Sequence, residues 1–163
     1  RFAADEVPFR HMVMLVQLGR RPDSGEVNLS LVRAAAERSG YAVKDKEAFA
    51  RKARYAERWL QRFAPESMKF ELKAALPPEA KTLTEEQKTA LQALASMLKE
   101  GMTAEELHDA IYAAAKGAGI KGTDAFRAVY IALLGKPSGP RAGWFLASLD
   151  KKFVKRRFLE AAA

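Results

Sequence analysis

The sequence predicts an all-α fold, a bundle of about seven to eight helices in two small subdomains. Apolar residues recur at intervals of three and four along most of the 163-residue chain. No segment alternates apolar and polar residues as a half-buried strand does. Hydrophobic residues make up 48% of the chain, which is enough to form a buried core.

Three helices are predicted in the first part of the chain. The first begins at or beside Pro8, whose fixed backbone angle suits a helix start, and ends near Gly19. The second covers roughly residues 25–38. The third covers about residues 45–63, with its apolar side chains on one side.

A proline-containing segment, residues 65–81, interrupts the helical pattern. It precedes a change from basic to acidic composition, and such breaks commonly separate structural units. We interpret the segment as a hinge between an N-terminal helical subdomain, residues 1–76, and a C-terminal one, residues 77–163.

Two capping boxes mark helix starts in the C-terminal subdomain. Thr84 precedes Gln87 by three residues, and Thr103 stands in the same relation to Glu106. In a capping box, each side chain of the pair satisfies a free backbone N–H at the helix start. The two pairs therefore predict helices that begin at these threonines.

Of the last three predicted helices, one precedes a loop and two follow it. One is predicted after the turn KGTD, residues 121–124, and ends at Gly135, because glycine reaches the left-handed conformation of a helix terminus cheaply. Two closing segments, residues 144–149 and 151–159, follow the loop.

The net charge of +8 is distributed unevenly along the chain. Residues 1–62 hold 13 Lys and Arg against 8 Asp and Glu, residues 63–115 hold 5 against 9, and residues 116–163 hold 10 against 3. The two ends therefore attract a polyanion while the middle repels it. This asymmetry favours a nucleic-acid partner.

Composition excludes several kinds of site. The chain has no cysteine, so disulfides and thiolate zinc sites are excluded, and its two histidines, His11 and His108, are far apart in sequence. No glycine-rich phosphate loop or catalytic triad pattern occurs, and no apolar run approaches the ~20 residues that cross a bilayer. We expect a soluble cytoplasmic protein that contacts no membrane, holds no metal and is not an enzyme on its own.

The third predicted helix carries a stripe of arginines. Four of them fall within roughly 80° of helical arc: Arg51, Arg54, Arg58 and Arg62. Tyr55 and Trp59 border the stripe. It could follow the phosphates of a nucleic acid, or it could be a solvated face that Glu47 and Glu57 partly neutralise.

A second basic cluster lies in the last helical segment. Its members are Lys151, Lys152, Lys155, Arg156 and Arg157. The cluster could bind phosphates, or its cations could simply stabilise the negative end of a helix dipole.

The loop before that segment contains Ser138-Gly139-Pro140-Arg141. Glycine lets a backbone approach a ligand closely, proline fixes a corner, and a guanidinium can stack or form forked hydrogen bonds. These groups are suited to reading splayed single-stranded bases. The alternative is an ordinary helix connection that uses proline and glycine for its turns.

Five segments together resemble the C-terminal end of class I tRNA synthetases. LLGKPSGPRAGWFLASLDKKFVKRRF is similar to that end in the glutamyl and lysyl enzymes. The others favour the lysyl branch: VPFRHMVMLVQLG, ARKARYAERWLQRFAPESMKFEL, TAEELHDAIYAAAKGAG and FRAVYIALLGK. The resemblance covers nearly the whole chain.

The resemblance implies the anticodon-binding region of a class I lysyl-tRNA synthetase, a helical cage whose partners are the anticodon loop of lysine tRNA and the parent's catalytic domain. Residues 1–76 would face the anticodon arm, and residues 77–163 would bind the anticodon. The HIGH- and KMSKS-type motifs of the catalytic domain do not occur in the sequence. The resemblance therefore implies a ligase fragment that binds tRNA without cofactors, whereas ATP and Mg²⁺ serve the parent's catalytic domain.

The resemblance also nominates site residues. By position, Gly139, Pro140, Arg141 and Ala142 correspond to anticodon contacts in the glutamyl enzymes, and Tyr130 replaces a contacting arginine on the preceding helix. A tyrosine could still stack on a base. The full set of predicted tRNA-binding residues is Tyr130, Lys136, Ser138, Gly139, Pro140, Arg141, Ala142, Trp144, Arg51, Arg54, Arg58, Lys155 and Arg156.

Two other functions compete with this one. A helical protein–protein adaptor explains the periodicity and the hinge, but it gives no reason for the basic last 48 residues. A helical module that binds duplex DNA needs several base-reading side chains on one exposed face. The arginine stripe is the only candidate for that face, and it lacks an accompanying Asn or Gln.

Overall fold

The computed structural model describes residues 2–3 and 7–163, and within them the chain is all-α, as predicted, with eight α-helices. The chain divides into two compact units, residues 1–71 and 72–163. The segment predicted as a hinge spans this division. No helix of the described residues is both long enough and apolar enough to span a membrane.

Three helices build the first unit: α1 (Phe9–Leu18), α2 (Leu29–Arg38) and α3 (Lys46–Arg62). Helix α1 packs against both of the others. The core of the unit consists of fully buried apolar side chains, among them Met12, Leu15, Val16, Val32, Ala53, Ala56 and Leu60. The starts of α1 after Pro8 and of α3 after Asp45 confirm the predicted bounds.

Helix α2 begins later than the predicted residue 25. The side chain of Asn28 accepts hydrogen bonds from the backbone N–H groups of Ser30 and Leu31, and asparagine is a strong helix cap. Before it, Gly25 has a φ of 74°, and Arg20 and Val27 form an antiparallel bridge. The chain therefore makes a tight turn where a first helical turn was expected.

A two-residue parallel pairing, which the sequence pattern did not reveal, joins β1 (Phe2–Ala3) to β2 (Tyr41–Ala42). Strands this short leave no alternation to detect.

Gln17 fastens the segment after α3 to α1. Its side chain donates to the Met68 carbonyl at 3.1 Å and accepts from the Phe70 N–H at 2.9 Å. Gln17 is buried, so both halves of its amide need such partners. These bonds order the stretch around the 3₁₀ turn Glu66–Met68 within the first unit.

The second unit contains the 3₁₀ turn Pro78–Thr82 and five helices: α4 (Glu85–Met97), α5 (Ala104–Ala118), α6 (Gly122–Leu134), α7 (Ala142–Ser148) and α8 (Lys151–Ala162). Helix α4 packs against α5, α6 and α8, and α5 packs against α7. Both capping boxes are formed, which confirms the predicted helix starts. Gln87 also donates to the Asp124 carbonyl at 3.0 Å and so joins α4 to the start of α6.

Helix α6 begins inside the KGTD turn, at Gly122, and not after it. Asp124 lies in its first turn, where a carboxylate complements the helix dipole. Gly122 is in close contact with a neighbouring ring, since a Cβ there would lie 2.3 Å from Cε1 of Tyr112. At the other end, Gly135 adopts a φ of 70°, and this confirms the predicted terminus.

Candidate nucleic-acid interface

The last turn of α6 is anchored at the point where the loop of residues 135–141 begins. The Ala132 carbonyl accepts from Nη1 of Arg157 at 3.2 Å, and the Leu133 carbonyl accepts from the backbone N–H of Lys73 at 3.0 Å. Carbonyls in the last helical turn have no partner within the helix. Donors from two distant parts of the sequence therefore fix the start of the loop.

Tyr130 of α6 holds the C-terminal end of the loop, at Pro140. Its hydroxyl donates to the Pro140 carbonyl at 2.5 Å, and its ring stacks on Phe145 with centroids 6.4 Å apart. Burial raises the pKa of the Tyr130 hydroxyl, so the group stays protonated and able to donate. The side chain is only 8% exposed.

This position argues against the predicted stacking of Tyr130 on a base. The ring is committed to Phe145 and the hydroxyl to Pro140. The sequence shows that a tyrosine stands on α6, but only the packing of α7 on that helix shows which way the ring faces. Tyr130 shapes the loop and does not extend from it.

Two glycines allow the loop and α7 to approach their neighbours. A Cβ on Gly139 would lie 2.7 Å from Cδ1 of Leu134 and 3.0 Å from Cδ1 of Tyr130. A Cβ on Gly143 would lie 2.3 Å from the Ala104 carbonyl oxygen at the start of α5. Any larger residue at either position therefore forces its neighbours to move.

The outer side of the loop is exposed. Lys136, Ser138 and Arg141 are exposed, Pro140 and Trp144 are half-buried, and Ala142 is buried. The Arg141 carbonyl accepts from the Phe145 N–H at 2.8 Å, so its backbone is held while its guanidinium extends outward. Ala142 as a whole is only 4% exposed, so it offers little surface for the predicted contact with tRNA.

The arginine stripe on α3 is exposed along its whole length. None of Arg51, Arg54, Arg58 and Arg62 forms an ion pair with another residue that the structure describes. Glu57, one of the two carboxylates expected to neutralise the stripe, instead binds Arg20 through two hydrogen bonds of 2.9 and 3.0 Å. The stripe therefore keeps its positive charge.

The basic cluster of α8 divides into exposed and buried members. Lys152, Lys155 and Arg156 are exposed, whereas Lys151 and Arg157 are 4% and 2% exposed. The interpretation of the cluster as a phosphate-binding surface can therefore apply only to its three exposed members, which include the predicted residues Lys155 and Arg156. The alternative, cations at the negative end of the helix dipole, is wrong, because α8 begins at Lys151 and has no basic residue in its last turn.

The buried members have structural partners. The Lys151 ammonium donates to the carbonyls of Ala147 and Leu149, at 3.1 and 2.8 Å. Arg157 lies with Cζ 5.0 Å from the ring centroid of Phe153, and its Nε is 3.6 Å from Glu160. Burial lowers the pKa of Arg157, and the Glu160 carboxylate opposes this effect.

Helical periodicity could have separated the two groups. Positions 151 and 157 lie within about 60° of Val154, which is at the centre of the apolar face of α8, whereas positions 152, 155 and 156 lie about 100° or more away. Sequence reasoning missed the clamp by Arg157 because it counted charges without this angle. The hydrogen bond from the Lys73 N–H to the Leu133 carbonyl has no comparable pattern in the sequence, because it depends on how a distant segment packs.

Both histidines lie beside aromatic side chains. His11 Nδ1 lies 2.5 Å from the hydroxyl of Tyr41, and His108 packs against Tyr112 and Phe126. The part of the chain that the structure describes contains no cluster of three or more His, Cys, Asp or Glu side chains placed to hold a metal ion.

Comparison with known proteins identifies similar sequences. A family model described as an anticodon binding domain matches residues 46–162. Lysine–tRNA ligase of Archaeoglobus fulgidus is 38% identical over 96% of this chain and 30% of its own length. The ligases of Methanosarcina barkeri and Thermococcus kodakarensis are 35% and 34% identical over 96% and 93% of this chain. The chain spans 29% to 32% of the length of these three relatives.

Proposed function

Because the chain belongs to the family of anticodon binding domains, we propose that it holds the anticodon arm of lysine tRNA as part of a lysine–tRNA ligase. The observation that supports this most directly is the loop of residues 135–141. Tyr130 holds the C-terminal end of this loop, and Arg157 holds the helical turn at which it begins. The loop nevertheless exposes Lys136, Ser138 and Arg141. A ligand site needs this combination of fixed backbone and accessible polar groups.

The loop has the groups that recognise an unpaired base. Its main-chain N–H and C=O groups can complement the Watson–Crick edge of an anticodon uridine, and the Arg141 guanidinium can stack on a base or bind its edge. Gly139 lets the loop lie directly against Leu134 and Tyr130, because a Cβ there would clash with both side chains. We assign base reading to residues 138–141 and orientation of the loop to Tyr130.

The exposed cations supply the remaining affinity. Lys152, Lys155 and Arg156 on α8, and the arginine stripe on α3, are positioned to contact phosphates within their own units. Phosphate contacts release counterions and add affinity without reading sequence. In this account lysine activation, with ATP and Mg²⁺, belongs to the catalytic domain of the parent ligase.

Two observations disfavour the competing functions. On α3 the Gln61 amide donates to Glu57 at 2.9 Å, so it is not directed at a DNA base edge. A protein adaptor does not require exposed cations in both units. Binding of the purified chain to lysine tRNA, an unrelated tRNA and duplex DNA at one salt concentration tests the proposal. We expect the order lysine tRNA, unrelated tRNA, duplex DNA; equal affinity for the two tRNAs contradicts anticodon reading.

A further inference from the structure

Two parallel rows of side chains lie along the outer face of α3. Arginines stand at positions 54, 58 and 62, and aromatic residues stand one position later, at 55, 59 and 63. Side chains four residues apart lie on the same side of a helix, so each set forms a continuous row. We call the space between them the α3 groove; it is lined by Tyr55, Arg58, Trp59, Arg62 and Phe63 and encloses about 170 Å³.

Two rings of the aromatic row are exposed, and the third, that of Trp59, is half-buried. Tyr55 is 58% exposed and Phe63 is 70% exposed, although apolar rings are normally buried. Phe9 of α1 packs edge-on against Tyr55 and Trp59, with ring centroids 5.7 and 5.4 Å apart. These contacts fix the planes of two of the three rings before any ligand arrives.

The charge beside the rings is of one sign. Among the residues that the structure describes, no carboxylate lines the α3 groove, and the acidic residue nearest to it in sequence, Glu57, is held by Arg20. The groove therefore favours a ligand that combines a flat apolar face with negative charge.

The repeat of the groove distinguishes between classes of ligand. Each step of four residues, about 6 Å along the axis, brings one cation and one ring. A nucleic-acid strand repeats one phosphate and one base per nucleotide, whereas a protein surface has no such regular alternation. Stacking on aromatic rings also requires bases that are unpaired.

We propose that the α3 groove holds unpaired nucleotides of the bound RNA, with bases stacked on the aromatic row and phosphates at the arginine row. The proposal rests on the proposed function, because the RNA is the tRNA held by the chain. It adds a second nucleotide site, in the first unit, to the base reading assigned to residues 138–141.

The test compares two RNA probes that share a sequence. The first is a single-stranded oligoribonucleotide and the second is the same strand annealed to its complement. Affinities for both are measured with the 163-residue chain, with Tyr55→Ala, and with Phe63→Ala. Leu31→Ala serves as the matched control, because Leu31 is a 44% exposed apolar side chain of the same unit that lies outside the groove. Circular dichroism confirms that each variant keeps its helices.

We expect each ring removal to weaken single-strand binding about 5- to 150-fold, which is the usual worth of one stacked base. Duplex binding and the Leu31→Ala control should not change. Ring removal should leave the salt dependence intact, whereas Arg54→Gln with Arg58→Gln should flatten it.

Three results overturn the proposal: unchanged single-strand affinity, equal losses on single strand and duplex, or a ring variant that keeps RNA binding but loses binding to another protein domain. These results differ from failure of the proposed function, which shows as equal binding of lysine tRNA and unrelated tRNA by the unaltered chain.

Discussion

The hydroxyl of Tyr130 and the carbonyl of Pro140 close the base of the loop between α6 and α7 with a 2.5 Å hydrogen bond. Tyr130 thus connects the packed interior of the second unit to the backbone that we assign to base reading. Pro140, which Tyr130 holds, directly precedes the exposed Arg141, so the buried ring and the exposed guanidinium are linked through one residue.

Removal of this bond should disturb binding more than folding. In Tyr130→Phe the ring still packs on Phe145, so we expect a loss of only about 0.5–1.5 kcal/mol in the free energy of unfolding. Preference for lysine tRNA over an unrelated tRNA should fall, because the Pro140 corner is no longer held. Urea unfolding and tRNA titration measure the two effects. An unchanged preference means that the bond does not position the loop.

Gly139→Ala should have a related effect by a steric route. Its Cβ would lie 2.7 Å from Leu134, so the loop or the buried leucine must shift, at a cost of about 1–3 kcal/mol. We expect weaker binding of lysine tRNA. Gly117→Ala is the control, because a Cβ there meets nothing within 4 Å and alanine favours the helix. Equal tRNA affinity in both variants contradicts the close packing of the loop.

Removing the buried Arg157 should lower stability, whereas removing the exposed Lys155 should weaken tRNA binding. Arg157→Met leaves the Ala132 carbonyl without its donor and should lower the free energy of unfolding by about 1–3 kcal/mol. Lys155→Met alters an exposed residue, so stability should change by no more than ~0.5 kcal/mol. The salt dependence of tRNA binding should instead fall by about one phosphate contact in Lys155→Met. Equal changes in the free energy of unfolding and in salt dependence for the two variants would contradict the separation of the α8 cations into buried and exposed groups.

The stability of the first unit should fall at alkaline pH because of the Tyr41 hydroxyl. Burial raises its pKa from 10.0 to about 12, so the unfolded chain loses this proton at lower pH than the folded chain. Its contribution to stability is complete below pH 10 and is lost as the pH rises toward 12. Tyr41→Phe should therefore lose stability less steeply across that range. Parallel curves for the two proteins mean that Tyr41 titrates normally.

Local signals in the sequence predicted most of the fold. Both capping boxes and the Gly135 terminus depend on residues a few positions apart, and all three were found as predicted. The start of α2 was missed because Asn28 caps the helix after a turn through Gly25, and an apolar repeat does not distinguish that turn from a helix.

The site was less predictable than the fold. The exposure of Arg141 and the α3 arginines is a property of helix faces and loops, which sequence patterns can indicate. The roles of Tyr130 and Arg157 depend on contacts between residues that lie 10 and 25 positions apart, and these arise only when the helices pack. The resemblance nominated Tyr130 as a tRNA contact, and charge placed Arg157 in the basic cluster of α8. Their contacts in the packed unit instead support the loop.

The central claim is that Arg141 reads an anticodon base, and a double-mutant cycle tests it most directly. The affinities of the unaltered chain and of Arg141→Ala are measured on lysine tRNA and on the same tRNA with its anticodon uridines replaced. Circular dichroism should show unchanged helices, since a surface-loop side chain usually alters stability by no more than ~0.5 kcal/mol. We expect Arg141→Ala to weaken binding to lysine tRNA by about 1–3 kcal/mol, or 5- to 150-fold, and to have almost no effect on the altered tRNA. Equal losses on both tRNAs would mean that Arg141 contacts only the phosphate backbone, and the account of this loop as a base reader would be wrong.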